Sequence, residues 1–487
     1  MSQQIDKSQV AKGMGWTALE RFGSQLIQFL IGLMLARLLM PDDYGLIGML
    51  AIFIAISQVF LDSGFANALI QKKDRSDADY STVFWFNLMV SLLIYGILYV
   101  AAPFIARFYS QPLLCSVTRV YSLSIIINGL SIVQTARLSI ELNFRLQAVV
   151  SIIAIVVSGA IGIFMAVLGA GVWALVWQGI ASAGVRTLLL WVFGGWKPLT
   201  VFSGESFRTL FSFGSKLLVS SMINSIYSNL ATLVIGRAFH AAELGFYSRA
   251  RQFATLPSDT ATSIVTKVSF PVLTRYQDND AELLRVYSSL LRTPVYLLYP
   301  VVFGIAVLAG PVIEALIGAK WLDCVPLLQI LSIGVLWTPL TMINLNLLYV
   351  KGRSDLVLKL EFIKKPIAFA LLISAAFTDI YFVCAALALY EFIAFVFNCY
   401  YTGRFLGFGF FRQMRDLLPV LFYCVVMSAA VSTVYLFPLD PWLRLAAGAV
   451  IGIIVYGGIS LAFRDRSALL IARHVVSFIS RRTGPKS

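Results

Sequence analysis

Apolar runs of about twenty residues or more, separated by short polar connections, recur along nearly the whole chain. A helix needs about twenty such residues to cross roughly 30 Å of hydrocarbon. Applied along the sequence, that ruler predicts fourteen spans, over residues 15–38, 46–70, 81–108, 113–136, 148–168, 171–193, 210–239, 244–273, 291–316, 325–350, 356–377, 380–401, 417–437 and 442–463. The fold class expected is therefore all-α, a polytopic membrane protein of about fourteen transmembrane helices. The segment Met1 to Lys12 is polar, and the apolar run after it is too long for a cleaved signal and lacks a small-residue cleavage site, so the first span is expected to serve as its own insertion signal.

The pattern also repeats. Sliding the chain by 200 residues aligns Leu30 with Leu230, Leu33 with Leu233, Arg37 with Arg237, Asp43 with Glu243 and Gly45 with Gly245. An offset of 207 places Tyr80 and Ser81 beside Tyr287 and Ser288. Six spans thus repeat as six. Because six is even, both halves enter the membrane from the same side, and the relating axis runs along the membrane normal. The expected organisation is two parallel six-helix lobes, residues 1–193 and 210–404, joined by a Gly-, Ser- and Thr-rich linker at 194–209. Two further helices at 405–463 have no counterpart, and a basic tail follows at 464–487.

Composition agrees: 59% of the 487 residues are hydrophobic and only 13% charged, a balance suited to a bilayer. The net charge of +14 raises the question of nucleic acid, but a nucleic-acid binder gathers its basic residues on one soluble surface. Here they lie in short loops between apolar runs. With a cytoplasmic N-terminus, roughly 30 of the 38 Lys and Arg fall on the cytoplasmic side or at its edge, which fixes orientation and places both termini inside. The opposite loops, such as Met40 to Tyr44 and Thr378 to Asp379, are too short to hold a catalytic domain. The tail alternates Arg466, Arg473, Arg481 and Arg482 with apolar residues, the pattern of a segment resting on the anionic inner leaflet.

The five cysteines show no paired spacing and read as small core hydrophobes. The two histidines, His240 and His474, have no ligand pattern around them, so no metal is assigned. There is no P-loop and no nucleophile with a matched base, so neither an enzyme nor a cofactor is expected.

What stands out instead is polarity inside the spans. Thr17, Arg21, Gln25 and Gln28 recur at helical spacing on one face of the first span, with Ser24 beside them. Their repeat partners in the seventh are Ser221, Ser225 and Ser228, with Asn224 opposite Ser24. Span two adds Gln58 and Asp62, and span eight adds Arg249, Arg251, Gln252 and Asp259, while spans five and six are almost without polar residues. Two readings stay open. The polar groups either join packed helices, at roughly 0.6 to 2 kcal/mol each, or they line a wet cavity between lobes, formed by spans one, two, seven and eight. Arginine favours the second, since mid-membrane it costs at least about 2.5 kcal/mol and normally faces protein or water. Arg21, Gln25, Gln28, Asp62, Asn224, Ser228, Arg249, Arg251 and Gln252 are the candidate substrate-binding residues. Guanidinium groups match phosphate oxygens, and amides and hydroxyls match those of sugars. Glu391, in the middle of span twelve, is a candidate proton-coupling group, with Asp62 a second; the alternative for Glu391 is a protonated acid bonded within the protein.

The stretches GWTALERFGSQLIQFLIGLMLARLLMPDDYGLIGM and DSGFANALIQKKD, with GFYSRARQFATLP at the start of span eight, resemble the Wzx polysaccharide flippases and are similar to the colanic-acid exporter (WzxC) type. The resemblance implies membership of the multidrug/oligosaccharidyl-lipid/polysaccharide (MOP) exporter superfamily. It further implies an undecaprenyl-diphosphate-linked oligosaccharide as substrate, alternating access as mechanism, a proton or sodium gradient as driving force, and the bacterial inner membrane as location. Membrane lipids are expected partners, together with polysaccharide polymerase and chain-length machinery. Of the site residues, Arg21, Asp62 and Arg249 lie in or beside the matched stretches. The rivals are an ion-coupled drug or metabolite exporter of the same superfamily, which favours acidic and aromatic cavity residues, and a polytopic polymerase or glycosyltransferase, which needs a large extracytoplasmic domain. A scaffold for a biosynthetic complex leaves the polar stripes unexplained.

Overall fold

The computed structural model describes residues 7–62, 65–465 and 467–469, and all regular structure among them is helical. The chain forms two compact units, Met1–Gly245 and Phe246–Ser487. The first contains α1 (Lys7–Leu38), α2 (Pro41–Asp62), α3 (Phe65–Gln71), α4 (Asp77–Phe108), α5 (Leu113–Tyr121), α6 (Leu123–Gly129), α7 (Ile132–Ile140), α8 (Phe144–Val167), α9 (Val172–Gly194), α10 (Gly204–Ala238) and the first turn of α11 (Ala241–Thr274). The second holds the rest of α11, then α12 (Asp280–Val307), α13 (Ala309–Ile317), α14 (Cys324–Val335), α15 (Thr338–Val350), α16 (Ser354–Ala376), α17 (Ile380–Leu406), α18 (Phe410–Ser432) and α19 (Pro441–Ala462).

Every expected span falls on helix, and eleven helices among the described residues are long and apolar enough to cross a membrane. The three that are not among them, α1, α11 and α16, carry charge inside their predicted lengths: Glu20 and Arg21, Arg249, Arg251 and Asp259, and Glu361, Lys364 and Lys365.

Besides the span over 46–70, whose helices α2 and α3 flank residues outside the described ones, three spans expected as single helices are broken, each for a local reason. The stretch over 113–136 becomes α5, α6 and α7, where the hydroxyls of Ser122 and Ser131 donate back to the carbonyls of Thr118 (2.6 Å) and Asn128 (2.9 Å) and bend the chain. Pro311 has no N–H for the Val307 carbonyl, so α12 ends there. The freed oxygen accepts instead from the Tyr435 hydroxyl at 2.8 Å. Pro339 opens α15 after α14 stops at Val335.

In the first unit α8 packs between α1 and α9, closely enough that a Cβ on Gly159 would overlap the Ile31 side chain. The segment after α9 is pinned along α4. Leu199 N–H donates to Ser81 Oγ (2.9 Å), Ser203 N–H donates to Thr82 Oγ1 (2.9 Å), and Trp85 Nε1 donates to the Leu199 carbonyl (2.8 Å). Phe207 then stacks on Phe65 at 5.8 Å and on Phe211 at 5.4 Å.

In the second unit an extensive apolar core joins α12, α15, α17, α18 and α19. A buried amide network crosses it. Gln413 Nε2 donates to Asn344 Oδ1 (3.0 Å), Asn344 Nδ2 donates to Gln413 Oε1 (3.1 Å), and Thr402 Oγ1 donates to Asn344 Oδ1 (2.6 Å). The Arg292–Asp465 ion pair (2.6 Å) fixes the chain just after α19. The greater part of the basic tail, 470–487, lies outside the described residues, as do Arg466 and residues 1–6.

Candidate functional site

The residues singled out on α1 and α10 are displayed, not packed. Arg21 and Gln28 are exposed and Gln25 is half-buried, while on α10 Ser221, Asn224 and Ser228 are all exposed. Glu20, the neighbour with which Arg21 might have been neutralised, accepts a hydrogen bond from Ser151 Oγ of α8 at 2.8 Å, and Arg21 forms no ion pair among the described residues. Among the described residues the Ser228 hydroxyl bonds within its own helix, to the Ser225 carbonyl (3.1 Å) and with the Asn229 amide (3.3 Å). The side chains of Thr17 and Asp62 lie outside the described residues.

On α11 the picture is mixed. Arg249 is 8% exposed, and its Nη1 donates to Gln252 Oε1 one turn on. Gln252 is exposed, and Arg251 is half-buried with Nη1 3.4 Å from the hydroxyl of the buried Tyr247.

Glu391 on α17 is half-buried and stands within the electrostatic reach of Lys364 and Arg251. Lys364, on α16, is a residue that the sequence reading passed over. It is 2% exposed, and its ammonium contacts Glu361 at 2.7 Å and Asn398 Oδ1 at 3.3 Å. Asn398 lies two turns from Glu391 along α17, so α16 and α17 share a charged and amide-bearing seam. The signal was present as adjacent lysines inside a predicted span, in the run LEFIKKPIAF.

A second feature is apolar. A cavity of about 510 Å³ opens among α12, α18 and α19, lined by residues such as Leu297, Val301, Ile305, Val431 and Ile453. It suits a hydrocarbon chain and offers almost nothing to a polar one.

The family model described as Polysaccharide biosynthesis protein matches residues 34–326, more than half of the chain. The chain belongs to this family. Its members are Wzx-like flippases of the MOP superfamily, so the protein is a multi-pass membrane transporter of polysaccharide biosynthesis and not an enzyme. It is 28% identical over 353 residues to the teichuronic acid biosynthesis protein TuaB of Bacillus subtilis (strain 168), covering 72% of each chain. It is 28% identical over 369 residues to the lipopolysaccharide biosynthesis protein WzxC of Escherichia coli (strain K12), covering 74% of this chain and 73% of that one. Among solved structures, the lipid II flippase MurJ in an inward closed conformation superposes with a TM-score of 0.73 at 15% identity, over 92% of this chain and 98% of that one. An inward-facing multidrug resistance MATE family transporter of the MOP superfamily gives 0.60 at 16% identity, over 80% and 95%. These two likenesses establish the fold.

Proposed function

We propose that this protein is a flippase that carries undecaprenyl-diphosphate-linked oligosaccharide units from the cytoplasmic to the periplasmic leaflet of the bacterial inner membrane. The observation that carries this reading is the exposure of Arg21, Gln28, Asn224 and Ser228 on α1 and α10. Exposed guanidinium and amide groups on membrane-length helices are costly against hydrocarbon, so they face water or a polar cargo. A diphosphate headgroup needs cationic partners and its sugars need hydrogen bonds. The family supports the same cargo class.

In this reading the fourteen helices form two parallel lobes with two additional helices, both termini are cytoplasmic, and transport proceeds by alternating access. The headgroup passes Arg21, Gln25, Gln28, Asp62, Asn224, Ser228, Arg249, Arg251 and Gln252, while the apolar cavity among α12, α18 and α19 offers room for part of the isoprenoid tail. Glu391, with Asp62 as a second candidate, exchanges the coupling proton. Polymerase and chain-length proteins receive the product.

The test is removal of the protein from cells that contain no redundant flippase. Labelled lipid-linked oligosaccharide should then accumulate on the cytoplasmic leaflet, and unchanged outward movement would end the flippase reading.

A further inference from the structure

A proline inside a membrane helix leaves the carbonyl four residues back without its donor, and hydrocarbon supplies none. Four such carbonyls among the described residues are taken up by side chains of neighbouring elements. Pro103 frees the Tyr99 carbonyl of α4, which accepts from Arg119 Nε of α5 at 3.4 Å, with the guanidinium 4.4 Å from the centre of the Tyr99 ring. Pro339 has no N–H for Val335, whose carbonyl lies 3.2 Å from the donating Ser258 hydroxyl of α11. Pro300 frees the Tyr296 carbonyl of α12, which accepts from the Tyr456 hydroxyl of α19 at 2.7 Å. Pro311 frees that of Val307, which accepts at 2.8 Å from Tyr435, in the turn Thr433–Leu436 after α18. The remaining proline of α12, Pro294, frees the Leu290 carbonyl at the membrane edge expected from the sequence, where water can serve it.

The internal repeat shows why the two donors to α12 come from outside it. Pro103 and Tyr99 lie 208 positions before Pro311 and Val307, within one residue of the offset that aligns Tyr80 with Tyr287. In the first half the donor, Arg119, belongs to the repeat itself. Its counterparts in the second half, at offsets of 207 and 208, are Pro326 and Leu327 of α14, and neither has a side-chain donor. Pro300 has no proline counterpart either, since the matching positions are Leu93 and Leu92. Thus α12 has one break more than α4 and no equivalent of Arg119, and the segments with no counterpart in the repeat supply both hydroxyls. They hold α12 elsewhere too: the hydroxyls of Tyr296 and Ser460 are 2.7 Å apart, and Arg292 pairs with Asp465 at 2.6 Å.

We propose that α18 and α19 brace α12, with Tyr435 and Tyr456 as positioning residues whose hydroxyls replace two missing backbone donors and hold open the apolar cavity beside Pro300. The cavity lies between the two ties: its walls run from Tyr296 and Tyr456 past Pro300 and Gly304 to Leu308 and Gly448. At the Leu308 end the helices close up, since a Cβ on Gly448 would overlap the Leu308 side chain, whereas one on Gly304 would meet nothing within 4 Å. A helix fixed at Tyr296 and at Val307, and bent by the proline between them, stands off from its neighbours in the middle. That gap is the cavity. The brace is independent of cargo, and only its bearing on transport rests on the reading that the cavity takes part of the isoprenoid tail.

The test is a pair of double-mutant cycles in the full chain, read by dodecyl sulfate titration in mixed micelles. Tyr456→Phe should lower the folded-to-unfolded ratio about tenfold, because the Tyr296 carbonyl is left unpaired. In a Pro300→Ala background the N–H restored at position 300 serves that carbonyl, and the same substitution should cost no more than about twofold. Tyr435→Phe should behave alike with Pro311→Ala, since the flanking amides of Leu308 and Val312 already bond in helical register, to the carbonyls of Gly304 and Leu308. Equal losses with and without the proline in either pair overturn the brace. Should Tyr456→Phe fail to fold, a failure of Pro300→Ala to recover it does the same. Transport in proteoliposomes then reads the cavity. Tyr456→Phe with Pro300→Ala, stable but with α12 straightened, should raise KM about threefold for undecaprenyl-diphosphate-linked oligosaccharide at unchanged kcat, and leave a farnesyl-tailed analogue of the same headgroup unaffected. An unchanged KM for the long-tailed cargo overturns the claim that the ties hold the cavity open. Equal rises for both tails sink the tail reading alone, because the cycles measure the brace without any cargo.

Discussion

The Lys364–Glu361 pair gives an asymmetric prediction. The Lys364 side chain is 3% exposed and that of Glu361 is 32% exposed, with 2.7 Å between them, and Lys365 lies 3.9 Å from the same carboxylate. Lys364→Met leaves Glu361 partly hydrated and still beside Lys365, so the loss is that of a semi-exposed pair, about 1 kcal/mol. Glu361→Met leaves an ammonium in the interior whose remaining hydrogen bond among the described residues is to the Asn398 amide oxygen at 3.3 Å, with Glu391 in electrostatic reach but not in contact, and a buried charge stripped of its ion-pair partner costs about 3 kcal/mol or more. Replacing both with Met removes the charge and the need for its partner, so the double variant should be more stable than Glu361→Met alone. The three variants are compared by dodecyl sulfate titration of the purified protein in mixed micelles. The reasoning fails if Lys364→Met is as costly as Glu361→Met, or if the double variant shows the sum of the two losses.

Three further outcomes follow. Gln413→Leu should cost about 2–3 kcal/mol in the same titration, because it strips Asn344 of two bonds and the Phe408 carbonyl of one at a fully buried site. Arg21→Ala and Arg249→Ala should each lower transport of labelled lipid-linked oligosaccharide at least about tenfold at normal levels of folded protein, the loss of one charge-assisted contact; normal transport in both assigns these arginines to structure. Glu391→Gln should move cargo at a rate indifferent to an imposed proton gradient, and a response as steep as that of the native protein would remove Glu391 from coupling.

The all-helical, polytopic character of the chain and the places of its apolar helices were legible because an apolar run long enough to span a bilayer has, in lipid, no other way to satisfy its backbone. Their breaks were not. The kink at Val307 needs Tyr435 to take up the carbonyl that Pro311 abandons, and those residues are more than a hundred positions apart. The linker over 194–209 was legible only as a Gly-, Ser- and Thr-rich junction, and its composition did not show that Ser81, Thr82 and Trp85 hold its backbone. Its small residues leave the amides open to such partners, a role composition alone does not reveal. The 200-residue offset aligned Gly45 with Gly245, but only the fold shows that a Cβ on Gly45 would overlap the Ala241 carbonyl and one on Gly245 that of Pro41.

The same limit governs the polar residues. An asparagine or lysine within an apolar run looks alike on the page whether it joins helices or faces water, and the two roles differ only in what surrounds it. Asn344, Gln413, Thr402 and Lys364 are almost fully buried, and each bonds to a neighbouring helix. Arg21, Gln28, Asn224 and Ser228 are exposed, and among the described residues none of them hydrogen-bonds beyond its own helix. Burial without a partner costs about 1–3 kcal/mol per group, so the first set must pair in order to exist. The second set gains nothing from packing, and hydrocarbon would penalise it, which leaves a polar medium as its stable surroundings. The two sets belong to different elements: the paired groups lie on α15 to α18, and the displayed ones on α1 and α10. Substitutions at Arg21, Gln28, Asn224 or Ser228 should therefore alter cargo movement at little cost to folding, whereas those at Asn344, Gln413, Thr402 or Lys364 should do the reverse.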